Sequence, residues 1–260
     1  MLEKNNQSTK LKEEYMLFKD KVVMVTGSSG GIGKATAIAF AKEGADIYLH
    51  YNNSESECIK VAKEIKGSGG NCYLVKADLT SMNDIKKMFT YVRQTTNWLD
   101  ILVNNAGILK KSYIKSMSEE LWEEVMNTNL KSAFFCAKYA FPLLIKAGGN
   151  IVNVASLSSL RPIIGESCYG AAKAGLVSLT RSMALEYGRF NVNVNAVSPG
   201  PVNTSMREIR SVELEKLIKK IPLGRISKVD DIANAILFLC SEQSSCITGQ
   251  ILNVDGGLSI

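Results

Sequence analysis

The sequence predicts a doubly wound α/β protein: a seven-stranded parallel sheet with helices on both faces. Three observations predict it. Short runs rich in Val and Ile alternate with longer helical stretches along the chain. Those runs are apolar at nearly every position rather than every second one, which indicates burial on both faces and hence parallel pairing. The first run leads through Gly27-Ser28-Ser29-Gly30-Gly31-Ile32-Gly33 into an alanine-rich segment, a strand–turn–helix entry.

In chain order, the first strand is predicted over 22–26, where three valines and a methionine end at Thr26. A helix near 32–43 follows, then a strand over 47–51 built from Ile47, Tyr48, Leu49, His50 and Tyr51. A helix near 55–66 leads to a strand over 72–76, and a helix near 82–95 to a strand over 101–104. The long helical stretch near 118–145 precedes a strand over 151–155, and another near 166–188 precedes a strand over 192–197. Pro199-Gly200-Pro201 ends that sixth strand, a charged helix interrupts the alternation, and Pro222-Leu223-Gly224 closes the excursion. A last helix near 229–240 and a strand over 251–254 complete the pattern. Residues 20–260 read as one domain, with a substrate lid near 201–225 inserted at the carboxyl end of a strand. Residues 1–19 read as an N-terminal extension, expected to be mobile or loosely docked.

At 260 residues and 46% hydrophobic content, one large α/β domain fits better than two small ones. No apolar run approaches the ~20 residues needed to span a bilayer, so no membrane partner is expected. The first twenty residues mix Lys with Glu and resemble neither a secretory signal nor a transit peptide, so the expected location is cytoplasmic. Six scattered cysteines, no Cys-x-x-Cys pair and a single histidine, His50, argue against a metal site and a disulfide framework. The cysteines read as inert thiols; Cys168, beside Tyr169, is the one expected to be open to alkylation. The formal charge of +6 is concentrated between Arg207 and Lys228, where seven basic residues face three glutamates. That run reads first as a solvated helix face and second as an attraction for an acidic partner. Nucleic acid is disfavoured, because no aromatic–basic interleaving accompanies the charge.

The chemistry lies elsewhere. Between an apolar strand and a helix, the glycines at 27, 31 and 33 allow close approach of backbone to a pyrophosphate, and the helix N-terminus favours anionic charge. Tyr169 and Lys173 are four residues apart, so on a helix both face one side. A cation beside a phenol favours phenolate, which suits proton exchange with an alcohol near neutral pH. Ser156 falls at the end of the fifth strand, where ligands of such sheets bind.

Thr26-Gly27-x3-Gly31-x-Gly33, Asn104-Asn105-Ala106-Gly107, Ser156, Tyr169-x3-Lys173, Pro199-Gly200 and Val254-Asp255-Gly256-Gly257 occur in the order and spacing of the short-chain dehydrogenase/reductase family. The resemblance covers about 20–260 and implies a Rossmann-type fold and a nicotinamide cofactor. It further implies that Tyr169 is the general acid or base and that Lys173 lowers the phenol pKa and binds the nicotinamide ribose. By the same resemblance Ser156 polarises the carbonyl and Asn129 holds a water in the proton relay, with Asn127 the competing position. Cofactor contacts are implied for Gly27, Ser29, Gly31, Ile32 and Gly33 in the loop, and for Tyr51 and Asn52 after the second strand. Asp78 and Leu79 after the third, Asn105, Ala106 and Gly107 after the fourth, and Pro199, Gly200, Val202 and Thr204 after the sixth complete the set with Tyr169 and Lys173. Asn104 reads equally as a brace for the central sheet or as a cofactor contact.

No carboxylate ends the second strand to accept from a ribose 2′-hydroxyl, so NADP (as NADPH) is favoured over NAD. Gly30 stands where many NADP-preferring relatives have arginine, which leaves Lys34 as the nearest cation. Ile221-Pro222-Leu223-Gly224-Arg225, Asp231, Ile247-Thr248-Gly249-Gln250 and the terminal Asp-Gly-Gly look most like 3-oxoacyl-[acyl-carrier-protein] reductases of fatty acid biosynthesis. The implied substrate is then a carbonyl, small or carried on an acidic acyl carrier protein. Arg161-Pro162-Ile163-Ile164 departs from the small, Gly-rich run of those relatives, so a sugar, polyol, steroid or hydroxy-acid dehydrogenase is the alternative. A non-catalytic redox sensor is disfavoured by the presence of both Tyr169 and Lys173, and an enoyl reductase by their spacing. The resemblance also implies a homotetramer, with the long helices paired between subunits.

Overall fold

The computed structural model describes residues 16–204, 206 and 211–260. Arg207 and Arg210 of the basic run, and most of the expected N-terminal extension, lie outside the described residues. The elements follow in the order β1 (Val22–Val25), α1 (Gly31–Lys42), β2 (Asp46–Tyr51), α2 (Glu55–Gly67), β3 (Cys72–Lys76) and α3 (Met82–Thr95). Next come β4 (Ile101–Asn104), α4 (Glu119–Met126), a π-helical turn (Asn127–Lys131), α5 (Ser132–Leu144), β5 (Asn150–Val154) and α6 (Ser167–Tyr187). The chain ends with β6 (Asn193–Pro199), α7 (Ser211–Ile218), α8 (Val229–Cys240) and β7 (Ile251–Val254).

All seven strands are parallel, in the order β3-β2-β1-β4-β5-β6-β7. Alternate residues of β1, β2, β4 and β5 enter two separate cores, which is why these runs are apolar on both faces, whereas the edge strands β3 and β7 keep exposed positions such as Tyr73 and Leu252. Val23, Val25, Ile47 and Leu49 pack under α1, α2 and α8. Val22, Met24, Tyr48 and Leu102 pack under α3, α5 and α6. Strand order reverses between β1 and β4, so their carboxyl ends diverge and leave a crevice there.

The last residues of the expected extension are docked. Phe18 is buried and meets Phe40 edge-on at 4.8 Å, while its N–H donates to the Glu43 carbonyl at 2.9 Å. Burial of one such ring contributes about 2 kcal/mol toward docking the segment on α1.

A polar chain crosses the centre of the second core. Asn104 Nδ2 donates to Asn153 Oδ1 at 2.9 Å, and Asn153 Nδ2 donates to Thr180 Oγ1 at 2.9 Å. Of the two readings of Asn104, the structure supports the brace: its amide ties β4 to β5, and the chain continues to α6. Helix 118–145 also differs from expectation, because the π-helical turn splits it into α4 and α5. Asn129 Nδ2 donates to the Val125 carbonyl one turn back at 2.9 Å, satisfying a group beside the irregular turn.

Candidate active site

The loop between β1 and α1 is held from three sides. Thr26 Oγ1 accepts from the N–H groups of Asn105 and Ala106, at 2.9 and 3.0 Å. Asn105 Nδ2 returns the contact, donating to the carbonyls of Thr26 and Gly27 at 2.9 and 3.0 Å. Gly33 explains its own glycine: a Cβ there would lie 2.3 Å from the Gly27 carbonyl oxygen and 2.4 Å from Asn105 Nδ2. The third support is His50. Its Nδ1 accepts from the Gly27 N–H at 3.0 Å, so Nε2 carries the proton and donates to the Ala77 carbonyl at 3.0 Å. Burial pushes the imidazole down to about 4, which keeps it neutral and able to accept. The neutral ring thus bridges two backbone groups, and these partners were not legible from its position in the sequence.

Above this loop lies a cleft of about 600 Å³ lined by Gly27, Ser29, Gly31, Ile32, Tyr51, Asn52, Asp78, Leu79, Asn105, Ala106, Gly107 and Thr204. A second cavity of about 100 Å³ adjoins it and gathers Asn129, Ser156, Tyr169, Lys173, Pro199, Gly200 and Val202. Ile32, Asn105, Gly107, Thr204 and Met206 line both, so the two spaces share a wall. Of the residues predicted for the site, Gly33 alone lines neither space; it packs beneath the loop. Met206, Thr128 and Ile108 line the cleft without a sequence signal that singled them out. Asp78 is partly committed, since its Oδ1 accepts from Thr80 N–H at 2.9 Å and Thr80 Oγ1 at 2.8 Å.

Within the smaller cavity, Lys173 Nζ lies 5.8 Å from the Tyr169 ring centroid and donates to the Val154 carbonyl at 2.7 Å. Burial lowers the lysine to about 8. Asn129 is buried, and its Oδ1 accepts from the Ile108 N–H at 3.1 Å while Nδ2 donates to the Ile108 carbonyl at 3.0 Å. A Cβ on Gly107 would lie 2.5 Å from Asn129 Oδ1, so glycine is needed for this approach. Asn127 does not line the cavity; its amide donates to Glu123 at 3.3 Å on an exposed face. Ser156 caps a short 3₁₀ turn, and its Oγ accepts from the Ser158 N–H at 3.2 Å. A hydroxyl, a phenol and a buried ammonium around one small space can polarise a carbonyl and exchange a proton with it.

The family profile described as Enoyl-(Acyl carrier protein) reductase matches residues 27–259. The 3-oxoacyl-[acyl-carrier-protein] reductase FabG of Thermotoga maritima is 38% identical over 247 residues, which cover 94% of this chain and 100% of that protein. The chain belongs to the short-chain dehydrogenase/reductase family. A Burkholderia cenocepacia short chain dehydrogenase solved in complex with NADP superposes with a TM-score of 0.89 at 29% identity, covering 94% of this chain and 100% of that one. A putative gluconate dehydrogenase from Agrobacterium tumefaciens gives a TM-score of 0.90 at 32% identity, covering 93% and 97%. The chain is thus an NAD(P)-dependent oxidoreductase acting on CH–OH groups. The structure fits the cofactor: a Cβ at Gly33 would lie 2.3 Å from the Gly27 carbonyl oxygen, so the loop packs closely on the start of α1, whose first residues, Gly31 and Ile32, line the cleft.

The other sequence motifs resolve into scaffolding at this end of the sheet. Asp255 accepts from the N–H groups of Gly257 and Ser259, both at 2.9 Å, beneath Gly200. Arg225 pairs with Asp231 at 2.6 Å, and Asp231 also accepts from the Lys228 N–H at 2.8 Å. Arg161 donates to the Leu258 carbonyl, so it braces the C-terminal turn. Cys168 corrects an expectation: it is buried, its thiol donates to the Trp122 carbonyl at 3.7 Å, and burial raises its pKa, so it is not poised for alkylation. No helix among the described residues is long and apolar enough to cross a membrane.

Proposed function

We propose that this protein reduces a 3-oxoacyl thioester to the 3-hydroxyacyl product with NADPH. The observation that carries the reading is the small cavity where Asn129, Ser156, Tyr169 and Lys173 converge against the dinucleotide cleft. A nicotinamide held in the cleft would supply the hydride. Ser156 donates to the carbonyl oxygen and polarises it, and the Tyr169 hydroxyl delivers the proton. Lys173 lowers the phenol pKa by its charge and binds the ribose hydroxyls with its remaining donors. Asn129 shapes the helix beside Lys173 and holds the relay water.

NADP preference rests on the end of β2. Tyr51, Asn52 and Asn53 offer no carboxylate there, and the nearby Glu55 accepts from the Tyr51 hydroxyl at 2.9 Å. Lys34 is engaged with Glu64 at 2.8 Å, so the 2′-phosphate would meet neutral donors such as Asn52 and Ser29. The NADP bound by the Burkholderia relative supports the same choice. The name of the Thermotoga relative supports an acyl chain on a carrier protein as the substrate. Lys216, Lys219, Lys220 and Lys228 would present positive charge to such an acidic partner, whereas Arg225 is spent on Asp231. A homotetramer is supported by the apolar groove between α5 and α6, where Met126, Leu130, Phe134 and Leu179 line about 570 Å³.

A second reading, oxidation of a sugar acid or polyol, is favoured by the likeness to the gluconate dehydrogenase fold. The discriminating experiment is the initial rate of NADPH oxidation with acetoacetyl-coenzyme A. A clear rate supports the thioester reading. No rate, with NADPH still bound, moves the assignment to the second reading, tested with gluconate and NAD in the oxidative direction.

A further inference from the structure

Three segments that wall the reaction cavity reach it from different parts of the fold: the loop after β4, the loop after β5 and the first turn of α6. They meet at Glu166. Its side chain is fully buried, and Oε2 accepts from Ser158 Oγ at 3.0 Å. Lys111, from the loop after β4, approaches Oε1 at 3.6 Å through a half-exposed side chain. The Glu166 carbonyl accepts from the Gly170 N–H at 2.7 Å, which starts the helix that carries Tyr169 and Lys173. Gly170 in turn lies so close that a Cβ would sit 3.0 Å from the Ser158 carbonyl oxygen.

The contact that gives this arrangement a chemical meaning is on the other side of Ser158. The N–H of that residue donates to Ser156 Oγ at 3.2 Å, and Ser159 Oγ donates to the Ser156 carbonyl at 2.7 Å. One acceptor position of the Ser156 hydroxyl is therefore filled from behind, and its own proton is left to point into the cavity. Ser158 is thus gripped at its side chain by Glu166 while its backbone aims Ser156. A buried carboxylate is costly unless paired and hydrogen-bonded, and an apolar residue of similar size would fill the same space at lower cost. What the carboxylate adds is an acceptor at a fixed place for the Ser158 hydroxyl and an anion for Lys111.

We propose that Glu166 is a positioning residue for the reaction: through Ser158 it sets the Ser156 hydroxyl relative to Tyr169, and with Lys111 it locks the facing loop to the same frame. The proposal rests on the reading of Ser156 as the group that polarises the carbonyl.

The test uses the full chain, with kcat, KM and NADPH dissociation constant measured for Ser156→Ala, Glu166→Ala, Glu166→Gln, Ser158→Ala and the double variant Ser156→Ala/Glu166→Ala. Loss of the polarising hydroxyl should lower kcat by about 10²–10³-fold. Glu166→Ala should lower kcat by about 10–100-fold with KM and the NADPH constant little changed, because misplacement of a reacting group by ~1 Å costs up to about 10²-fold. Glu166→Gln, which keeps an acceptor for Ser158, should recover most of that loss. Combined with Ser156→Ala, the Glu166→Ala change should cost less than about twofold more, since a residue that acts through Ser156 has nothing left to position. Additive losses, or Glu166→Ala within about twofold of the parent in kcat, overturn the proposal while leaving Ser156 in its role. If Glu166→Ala fails to bind NADPH, Ser158→Ala carries the same test, and a kcat equal to the parent overturns it. An unimpaired Ser156→Ala would remove the underlying reading and the proposal with it.

Discussion

His50 offers an unusually clean prediction because the chain contains one histidine. Its ring stands between two backbone groups, accepting from Gly27 at Nδ1 and donating to Ala77 from Nε2. Protonation would turn Nδ1 into a donor facing the Gly27 N–H, so burial and geometry both oppose the charged form. The folded-state value of about 4 lies below the ordinary 6.5. The unfolded chain therefore takes up the proton first as pH falls. The stability held by neutral His50 is fully present above about pH 6.5 and is lost progressively as pH falls to about 4. At 1.36 kcal/mol per unit, the whole loss amounts to about 3 kcal/mol, a large share of the 5–15 kcal/mol that holds a typical domain. NMR with ¹⁵N-labelled histidine reads the single imidazole directly. The expected spectrum is a neutral Nε2–H tautomer that does not titrate between pH 5 and 8. NADPH affinity should weaken below about pH 5 as the Gly27 loop loses its acceptor. A mid-point near 6.5, or an Nδ1–H tautomer, would show that the ring is not held neutral between Gly27 and Ala77.

Four further outcomes follow from the geometry of the site. Gly33→Ala gains about 1 kcal/mol of helix propensity but places a methyl against the Gly27 carbonyl and the Asn105 amide. Overpacking of about 1–3 kcal/mol should prevail, and NADPH titration should show at least about tenfold weaker binding; an unchanged constant would mean the loop can give way. Lys173→Ala should lose both rate and NADPH affinity, and an unchanged dissociation constant would end its ribose role. Because burial holds Lys173 at about 8, its ammonium is lost as pH rises through that value, so reductive kcat/KM should fall there; a flat profile to pH 10 would contradict it. Asn52→Asp should shift the kcat/KM ratio from NADPH toward NADH by about 10–100-fold, as a carboxylate would repel the 2′-phosphate and accept from a 2′-hydroxyl. A ratio unmoved by the change would place the phosphate elsewhere.

Much of the fold could be read from the chain because the central strands are buried on both faces. Continuous apolar runs such as 22–25 and 101–103 have no competing amphipathic reading, and the predicted boundaries fall within two residues of the observed strands. The site residues converge because they sit at strand ends and on one helix face, positions that topology alone brings together. Other features escaped for physical reasons. The π-helical turn at Asn127–Lys131 is a one-residue change in backbone pairing that no hydrophobic period records. Glu166 looks like an ordinary helix-entry residue until its carboxylate is seen beneath Ser158. Arg225 and Asp231 are six residues apart across a turn, a spacing that neither helix nor strand periodicity would pair. Cys168 adjoins Tyr169 in sequence, but on a helix consecutive side chains diverge by about 100°, which carries its thiol away toward Trp122.

In the proposed reaction Tyr169 delivers the proton, while its hydroxyl adds little to the hold on the cofactor. Measuring single-turnover NADPH oxidation and the NADPH dissociation constant together in Tyr169→Phe tests it most directly. The expected rate is lower by at least about 10²-fold, the scale of a lost general acid, with the dissociation constant within about threefold of the parent. A substantial residual rate at intact affinity would remove Tyr169 from the acid role and contradict the account.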